Sequence, residues 1–417
     1  MSERKFDIVL FGATGFTGQL VAEYLAKNAG GRGVKWAIAG RNPVKLEAIR
    51  ADLARSDASM KDLPILTADS HDVGALDKLA PETRVVCTTV GPYMKYGREL
   101  VAACARAGTS YCDLTGETPF VRMSADANDE EAKKTKARIV HCSGFDSIPS
   151  EMAALLAHDH AGEDLAWVKM FVGKMSGGLS GGTIASMFNL VELAKSDREV
   201  RELLLDPHAL DPVRGSAPKD PFDRDQRGVK FDRDIGRWTA PFVMAAINTR
   251  VVRRSHAILQ AENQKGYGPR FRYNEAMSFA KGPAGLAAAT MLTAGLGAFM
   301  GAATIDSVRS LLGRTVLPSP GEGPSKQQQD SGFFELHVVA RTESGKKITG
   351  RIAGNKDPGY GETAVMLAES AMCLAKDTEG KDAIPERYGV LTPATAMGMT
   401  LVKRLRAAGM TLEARDA

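Results

Sequence analysis

Residues 6–25 read FDIVLFGATGFTGQLVAEYL. A run of strand length, FDIVLF, which is apolar except for Asp7, leads into a glycine-rich turn, after which Leu20, Val21, Tyr24 and Leu25 recur at helical spacing. The turn has a GxxGxxG pattern in the strand–turn–helix context in which such patterns bind the phosphates of a dinucleotide. The stretch therefore predicts the first βα unit of a nucleotide-binding domain.

Five further units of this kind follow. Apolar runs of strand length occur at residues 34–40, 63–68, 85–90, 110–114 and 138–141, and segments of helical spacing follow the first three. Strands that alternate with helices form parallel βαβ units, and both faces of a parallel sheet are covered, which explains the unbroken apolar strands. We therefore expect an α/β fold whose first domain, residues 1–145, is a Rossmann-type parallel sheet.

The turn after the first strand supplies six candidate cofactor-binding residues: Gly12, Thr14, Gly15, Phe16, Thr17 and Gly18. Glycine allows the backbone to turn sharply and to approach a pyrophosphate closely. Free backbone N–H groups and the helix dipole then meet the negative charge, and the two threonine hydroxyls add donors. The alternative interpretation is a glycine turn that binds no ligand.

The end of the second predicted strand bears on the choice of cofactor. NAD-binding proteins usually place a carboxylate there to accept hydrogen bonds from the ribose 2′-OH. This chain instead has Arg41, with Lys45 one helical turn later, so a guanidinium stands where a 2′-phosphate needs a cation. The pattern favours NADP(H), the alternative being an arginine that faces water. Asp69 and Ser70, after the third strand, are candidates to contact the adenine edge.

The segment after the fourth strand is expected at the nicotinamide end of the cofactor. Parallel sheets bind ligands beyond the carboxyl ends of their strands. Gly91 and Pro92 are therefore candidate cofactor contacts, and Tyr93 and Lys95 are candidates to deliver a proton. An ordinary packed tyrosine is the alternative for Tyr93.

Length and composition limit the other possibilities. At 417 residues the chain exceeds the ~250–300 residues at which single cores stop growing, so two domains are expected. Apolar residues make up 44% of the chain and charged residues 25%, as in soluble globular proteins. The net charge of +4 is small and both signs are interspersed, so nucleic acid is not an expected partner.

Cysteine and histidine usage indicates a reducing compartment and argues against a metal site. The five cysteines are odd in number, include no CxxC pair and lie in apolar contexts, so they are predicted to be buried hydrophobic residues. No signal peptide precedes the first strand, which favours the cytoplasm. The seven histidines are scattered, and because His158 and His160 alone are close together, no metal is predicted.

The regular alternation stops near residue 145, and a second domain, residues 146–355, is expected to bind the substrate. Its predicted strands are 167–172, 334–341 and 348–352, its predicted helix is 183–195, and its predicted loops are 206–237, a candidate lid, and 318–332. Residues 356–417 contain two predicted helices, 363–375 and 394–407. We expect these C-terminal helices to return and pack on the first domain.

Residues 282–305 form a 24-residue stretch without a charged side chain, which is long enough to span a bilayer. Thirteen of these residues are Gly or Ala, so the transfer free energy is weak for a spanning helix. Three interpretations stay open: a tightly packed helix pair in the substrate domain, a membrane span, and a surface that touches lipid or a long acyl chain.

Several segments together resemble the saccharopine dehydrogenase-like family. They are 9–18 (VLFGATGFTG), 39–42 (AGRN), 90–97 (VGPYMKYG), 111–117 (YCDLTGE), 144–151 (GFDSIPSE), 357–364 (DPGYGETA) and 389–398 (GVLTPATAMG). The likeness covers nearly the whole chain and is strongest to the branch of trans-acting enoyl reductases, which serve polyketide synthases that lack their own reductase in cell-envelope lipid assembly. It implies a Rossmann domain, a mixed α/β substrate domain and C-terminal helices that return to the first domain.

The resemblance also implies a function. It is the NADPH-dependent reduction of the C=C bond of an α,β-unsaturated acyl thioester, carried to this chain by a polyketide synthase. Asp146 matches the aspartate of the Gly-x-Asp-Pro-Gly motif of saccharopine reductases, but Ser147 departs from it, which argues against saccharopine as the substrate. Asp146 and Ser147 thus join Tyr93 and Lys95 as candidate catalytic residues, Ser147 as a hydrogen-bond donor to the thioester carbonyl. Asp146 has the alternative role of orienting the segment between the domains.

Two other functions stay open. One is a saccharopine dehydrogenase-like C–N reductase that acts on an amino or oxo acid. The other is a non-catalytic NADP(H) sensor or lipid-associated scaffold. A cytoplasmic location is expected, with a peripheral membrane contact and a homo-oligomer as open alternatives.

Overall fold

The computed structural model describes residues 4–177, 181–215, 217, 220–262, 265–305, 307–308 and 331–417, except for the side chains of 181–184. Its strands, numbered in chain order, are β1 (Phe6–Phe11), β2 (Trp36–Gly40), β3 (Ile65–Thr67), β4 (Thr83–Thr88), β5 (Ser110–Cys112), β6 (Arg138–Val140), β7 (Leu165–Ser176), β8 (Lys230–Asp232), β9 (Arg237–Ala240), β10 (Arg272–Ser278), β11 (Phe333–Thr342), β12 (Lys347–Gly354), β13 (Gly389–Leu391) and β14 (Thr411–Asp416). Its α-helices are α1 (Phe16–Asn28), α2 (Pro43–Ser56), α3 (Val73–Leu79), α4 (Tyr93–Tyr96), α5 (Arg98–Ala107), α6 (Thr118–Thr135), α7 (Ile148–Ala161), α8 (Gly181–Ser196), α9 (Arg198–Leu205), α10 (Ala245–Ala261), α11 (Gly282–Ala303), α12 (Gly361–Lys376) and α13 (Pro393–Ala407).

Sheet A is parallel, with its strands in the order β13-β6-β5-β4-β1-β2-β3. The central strand β1 is buried along its whole length, and its Ile8 pairs with Trp36 on one side and with Val85 on the other. The strand order reverses between β1 and β4, which leaves a crevice at their carboxyl ends. This arrangement confirms the predicted Rossmann-type sheet. The five cysteines are buried and free, as predicted.

Sheet B is mixed, with its strands in the order β14-β12-β11-β7-β10-β9-β8. The central strand β7 is parallel to β10 and antiparallel to β11. Strands β11 and β12 form the predicted antiparallel pair, with Val338 opposite Gly350. Helix α7 packs against β7, β11, β12 and β14, so one face of the sheet is covered.

The C-terminal segment packs on both sheets. Helix α12 lies against β1, β4, β5 and α1, so it returns to the first domain as predicted. Strand β13 extends sheet A beside β6, and β14 extends sheet B beside β12. The sequence does not predict these strands, because β13 has three residues and β14, TLEARD, is mostly polar. The domain boundaries at residues 145 and 355 stay a prediction.

Residues 206–237 belong in part to sheet B and are not only a surface loop. They contain β8 and the first residue of β9, and the side chains of Asp211 and Asp223 are buried. The proposed lid role of this segment stays a prediction. The loop predicted at 318–332 lies outside the described residues, apart from residues 331 and 332.

Helix α11 is largely exposed. Its buried residues are Gly285, Ala289 and Ala303, whereas the Met291 side chain is 76% exposed. The prediction of a tightly packed helix pair is therefore wrong for this helix. Among the described residues, α11 is the one helix whose length and composition would suit a membrane span.

Candidate active site

Three glycines shape the turn between β1 and α1. Gly12 has a φ of +96°, and a Cβ there would lie 2.6 Å from Cγ2 of Val90. A Cβ on Gly18 would lie 2.1 Å from the carbonyl oxygen of Gly12, so α1 reaches the turn because residue 18 is glycine. Gly15 is exposed, and a Cβ there would meet nothing closer than 3.5 Å. Packing thus requires Gly12 and Gly18, whereas Gly15 leaves the outer surface of the turn free.

The first turn of α1 is open to an anion. Gly15 is the N-cap and offers no side-chain hydrogen bond, and the first turn contains no acidic residue. Thr14 and Thr17 are half-buried beside it. The ring of Phe16 meets Tyr360 edge-on, with centroids 4.8 Å apart. Because N–H groups at an uncapped helix N-terminus attract phosphate, these residues fit the pyrophosphate of a dinucleotide.

The segment after β4 lies beside this turn. Thr89 donates its N–H to the carbonyl of Phe11 at 3.1 Å and its hydroxyl to the carbonyl of Gly12, also at 3.1 Å. Gly91 is exposed and Pro92 is half-buried. The candidate cofactor contacts of both segments therefore stand at the crevice between β1 and β4, where doubly wound sheets bind dinucleotides.

The candidates for the adenosine end follow β2 and β3. Arg41 is exposed directly beyond β2, and Lys45 is exposed in the first turn of α2. Asp69 accepts a hydrogen bond at Oδ1 from the N–H of His71 at 2.9 Å, and Ser70 is buried. The two cations are accessible to a 2′-phosphate. Asp69 and Ser70 belong to a tight turn, and their contact with adenine stays a prediction.

Glu117 links the segment after β4 to the loop after β5. Its buried carboxylate accepts hydrogen bonds from the N–H groups of Tyr93 at Oε1 and Met94 at Oε2, each at 2.9 Å. The hydroxyl of Ser186, on α8, donates a third bond to Oε1 at 2.9 Å. Burial raises the pKa of Glu117, and the three hydrogen bonds oppose that shift. Glu117 therefore holds together three segments that are distant in sequence.

Asp113 fixes the loops after β5 and β6 relative to each other. Its Oδ1 accepts hydrogen bonds from the N–H groups of Thr115 at 3.1 Å and Cys142 at 3.0 Å. Its Oδ2 lies 2.7 Å from Nδ1 of His141. Because all four residues are buried, this network holds both loops rigidly at the carboxyl edge of sheet A.

Asp146 carries a carboxyl group suited to proton transfer. Its Oδ2 lies 3.4 Å from the position that a Cβ on Gly116 would occupy, next to Glu117 in the chain. Desolvation raises its pKa from the ordinary value of 3.8 to about 7, and no hydrogen bond or charge among the described residues opposes this shift. A carboxyl group that titrates near neutral pH can give or take a proton under physiological conditions.

The other three catalytic candidates are placed differently. Tyr93 is buried, its hydroxyl donates to the carbonyl of Thr88 at 3.3 Å, and burial raises its pKa well above the usual range. The buried hydroxyl of Ser147 donates to Oδ1 of Asn248 at 3.1 Å. Lys95 is exposed on α4. The hydroxyls of Tyr93 and Ser147 thus have interior partners, and the catalytic roles of all four residues stay predictions.

Apolar residues and the C-terminal segment complete the surroundings of Asp146. The Cε atom of Met244 lies 3.7 Å from the Cβ position on Gly116 and belongs to a buried apolar cluster. Thr363, in α12, accepts a hydrogen bond from the N–H of Phe145 at 3.1 Å. The site therefore combines a phosphate-binding turn, a carboxyl group that titrates near neutral pH and an apolar wall.

Glu117 is the main functional candidate that the sequence-based prediction missed. The sequence contains one indication of its role, because Glu117 follows the buried strand β5 at the carboxyl edge of the sheet, where ligands bind. The residue pattern does not show that its side chain turns back to the segment after β4. Asp146 was predicted, but its unopposed desolvation depends on the fold.

The sequence similarity of this chain to known proteins extends over nearly its whole length. A family model described as the saccharopine dehydrogenase NADP binding domain matches residues 8–140. A Mycobacterium tuberculosis protein named trans-acting enoyl reductase is 40% identical over 99% of this chain and 98% of its own. A Mycobacterium ulcerans protein of the same name is 38% identical over 99% and 98%. A second M. tuberculosis relative, with a provisional form of that name, is 43% identical over 98% and 97%.

Among solved structures, the chain is similar to saccharopine dehydrogenase (L-Glu forming) from Saccharomyces cerevisiae, with 14% identity, a TM-score of 0.49, and coverage of 98% of this chain and 99% of that one. The NADP-binding family model covers residues 8–140, from within β1 to the end of β6, and this stretch includes the glycine-rich turn and Arg41. NADP(H) is accordingly the cofactor. The chain therefore belongs to the trans-acting enoyl reductases, NADP-dependent oxidoreductases of the saccharopine dehydrogenase-like family.

Proposed function

We propose that this enzyme uses NADPH to reduce the C=C bond of an α,β-unsaturated acyl thioester, with Asp146 as the proton donor. The observation that carries the proposal is the Asp146 carboxyl group beside Gly116, whose pKa desolvation raises to about 7. The names of the relatives support the same class of reaction.

The chain offers a fitting residue for each part of NADP(H). An uncapped helix N-terminus suits the pyrophosphate, and an exposed guanidinium suits the 2′-phosphate. When bound, NADPH supplies the hydride. The residues proposed to hold it are Gly12, Thr14, Gly15, Phe16, Thr17 and Gly18 at the pyrophosphate, Arg41 and Lys45 at the 2′-phosphate, Asp69 and Ser70 at the adenine, and Gly91 and Pro92 at the nicotinamide.

Asp146 supplies the proton that the reaction consumes. Reduction of the C=C bond adds a hydride to the β-carbon and a proton to the α-carbon, and the second addition needs an acid that is protonated near neutral pH. With a pKa of about 7, Asp146 is substantially protonated there. It ionises as it gives up the proton, and solvent restores the proton before the next turnover.

Other residues position this step. Glu117 holds the N–H groups of Tyr93 and Met94, and so fixes the segment that carries Gly91 and Pro92. The apolar surface around residues 242–244 gives the acyl chain a place beside Asp146. Lys95 is the second candidate for the proton donor because it is exposed. The Tyr93 hydroxyl is a weaker candidate for the proton donor, because it already donates to an interior acceptor. Ser147, the candidate donor to the thioester carbonyl, likewise already donates to Asn248.

The substrate is proposed to arrive on a separate polyketide synthase. The words "trans-acting" in the names of the relatives support delivery by another protein, and the resemblance of the sequence implies a synthase. The proposal includes a cytoplasmic location with a peripheral membrane contact. A homo-oligomer is compatible with it.

The test is incubation of the full-length enzyme with NADPH deuterated at the transferred position, followed by mass spectrometry. A panel of 2-enoyl thioesters and 2-oxo acid and amine pairs serves as acceptors. We expect one deuterium at the β-carbon of a saturated thioester, and we expect Asp146→Asn to abolish most of this product. Deuterium in a C–N product would overturn the proposal in favour of an amino or oxo acid reductase. NADPH binding without transfer to any acceptor would overturn it in favour of a sensor.

A further inference from the structure

Helix α11 presents an apolar surface that water solvates poorly. Its 22 residues include no charged side chain, and the mean hydropathy of its most apolar window is 1.6, yet 11% of that window is buried. Leu286 and Met291 lie about 140° apart around the helix, and both are exposed. Soluble monomers rarely expose continuous apolar patches, so this side of α11 is a candidate binding surface.

Both ends of α11 contact the body of the protein. At its beginning, the Lys281 side chain lies against Gly236 in the turn between β8 and β9, and α11 packs against β9. Near its end, the ring of Phe299 stacks on that of Phe188, in α8, with centroids 6.0 Å apart. The helix, about 33 Å long at 1.5 Å per residue, therefore lies along the protein and does not project from it. This orientation suits a helix that lies in a membrane interface better than one that spans a bilayer.

A hairpin with one exposed and one half-buried aromatic residue adjoins α11. Strands β8 and β9 form the edge of sheet B, and α11 packs against β9. The rings of Phe231 and Trp238 meet edge-on in this hairpin, with centroids 5.2 Å apart, and Phe231 is 47% exposed. Lys281, at the start of α11, reaches within 3.8 Å of the Cβ position on Gly236 in the hairpin turn. Aromatic rings beside an apolar helix are typical of membrane interfaces.

The hairpin and the start of α11 also carry unpaired positive charge. The two carboxylates of the hairpin, Asp232 and Asp234, both bind the ammonium group of Lys169, at 2.8 and 2.6 Å. Four exposed cations here have no ion pair with any described residue: Lys230, Arg233, Arg237 and Lys281. The surface thus combines an apolar helix, interfacial aromatic residues and a net positive charge.

We propose that α11 and the β8–β9 hairpin form a docking surface for a lipid bilayer that contains anionic lipids, with α11 lying flat in the interface. This inference rests on the proposed function, which includes a peripheral membrane contact, and assigns that contact to this surface. Charge distinguishes the bilayer from a second copy of the chain. A two-fold interface that pairs this surface with itself brings the four cations of each copy together, whereas anionic headgroups neutralise them. A single acyl chain is not a sufficient occupant either, because it would cover one strip of the helix and leave the other exposed side chains in water.

The docking surface is connected to the catalytic site through α8. Phe188 contacts α11, and two residues earlier Ser186 donates its hydrogen bond to Glu117. Docking of α11 would therefore bring the apolar side of the site close to the bilayer surface. An acyl chain on a carrier could then reach Asp146 without crossing much water.

The test is co-sedimentation of the full-length protein with vesicles of phosphatidylcholine alone and of phosphatidylcholine mixed with phosphatidylglycerol. We expect stronger binding to the mixed vesicles, weakened by salt. Met291→Glu should weaken binding to both by at least about tenfold, because it places a charge at the centre of the apolar surface. Arg233→Glu combined with Lys281→Glu should remove the preference for the anionic vesicles. Val73→Glu is the matched control, since Val73 is exposed at the start of α3 in the first domain.

Two results would overturn the inference. One is that wild type and Met291→Glu sediment equally with both kinds of vesicle, or that neither protein sediments with them. The other is a dimer in light scattering that Met291→Glu converts to a monomer, which would assign the surface to a second copy. NADPH oxidation with a short, water-soluble enoyl thioester is measured on the same samples. Turnover without vesicle binding would remove the membrane inference alone, and vesicle binding without turnover would remove the proposed reaction alone.

Discussion

Desolvation determines what the Asp146 carboxyl group can do. Because no hydrogen bond or opposite charge among the described residues stabilises its ionised form, its pKa rises to about 7. The protonated form is the acid, so kcat for enoyl reduction should fall as pH rises above about 7. Asp146→Asn should lower kcat by about 10²–10⁴-fold and abolish this pH dependence. Steady-state pH profiles of both proteins check the prediction, and an unchanged profile in the variant would assign the proton to another group.

Ionisation of the same carboxyl group should lower the stability of the folded protein. Its folded pKa lies above the unfolded value of 3.8, so ionisation penalises the folded state increasingly as pH rises from about 4 to above 7. Asp146→Asn removes this penalty. The free energy of unfolding of the variant should exceed that of wild type by about 1–3 kcal/mol at pH 8, and the difference should shrink towards pH 4. Urea titrations at several pH values measure it.

Two glycines of the phosphate-binding turn should respond differently to the same substitution. A Cβ at residue 15 does not clash with the protein, so Gly15→Ala should leave the unfolding midpoint unchanged. It should raise the Kd for NADPH about tenfold or more, because its methyl group would occupy the surface proposed for the pyrophosphate. Gly18→Ala places a Cβ 2.1 Å from a carbonyl oxygen and should cost about 1–3 kcal/mol of stability. Gly31→Ala, with no atom within 4 Å, is the control. Equal effects of the first two on stability would contradict this distinction.

Arg41 should determine the preference for NADPH over NADH. Arg41→Ala should lower kcat/KM with NADPH about 10–100-fold and leave kcat/KM with NADH unchanged, because the 2′-phosphate alone requires the guanidinium. Arg55→Ala, at the C-terminal end of α2, should change neither value, since the Arg55 side chain is 73% exposed. A parallel loss with both cofactors would show that Arg41 acts on the fold.

The two halves of the site differ in how far sequence predicts them. Gly12 and Gly18 are recognisable because a turn before a helix needs glycine for local reasons that the pattern itself contains. Glu117 is not recognisable, because its role depends on Ser186 and on the amides of α4, which only the fold brings together. For the same reason the residue pattern could not show that the Tyr93 hydroxyl faces the Thr88 carbonyl.

At the scale of elements, a buried ion-pair network attaches the C-terminal helices to the first domain. Glu369, in α12, is fully buried and pairs with Arg32, just after α1, and with Arg404, in α13, at 2.6 and 3.0 Å. Glu369→Ala should lower the free energy of unfolding by about 3 kcal/mol, because it leaves two guanidinium groups without this partner. Lys403→Ala breaks the exposed pair with Asp382 and should cost less than about 0.5 kcal/mol. Comparable losses in thermal or urea unfolding would argue against the buried network.

Elements with strong local patterns are predictable, and elements that depend on neighbours are not. Strand β1 is apolar except for Asp7 and is recognisable from its own residues. Strand β14 is mostly polar, and its strand conformation depends on the edge of β12. Helix α11 was recognisable as a helix, but small apolar residues suit both a tightly packed core and an exposed surface, so its exposure could not be read from composition.

At the scale of the whole molecule, the C-terminal segment should make the two sheets unfold together. It adds β13 to sheet A and β14 to sheet B, with one helix between them. The tryptophans can test this, since Trp36 lies in sheet A and Trp167 and Trp238 lie in sheet B. In a variant that retains only Trp36 and in one that lacks only Trp36, fluorescence and circular dichroism should each give the same urea midpoint within that variant. Two separate midpoints would show that the sheets unfold independently.

The pairing of strands that lie far apart in the sequence has a consequence for protein synthesis. Strand β6 ends at Val140, whereas its partner β13 begins at Gly389. Because a chain is synthesised from its N-terminus, β6 is made long before β13 and lacks this neighbour in the meantime. Unpaired strand edges invite aggregation until folding is complete. The edge of β6 is therefore a place at which a nascent chain can aggregate before residues 389–391 are made.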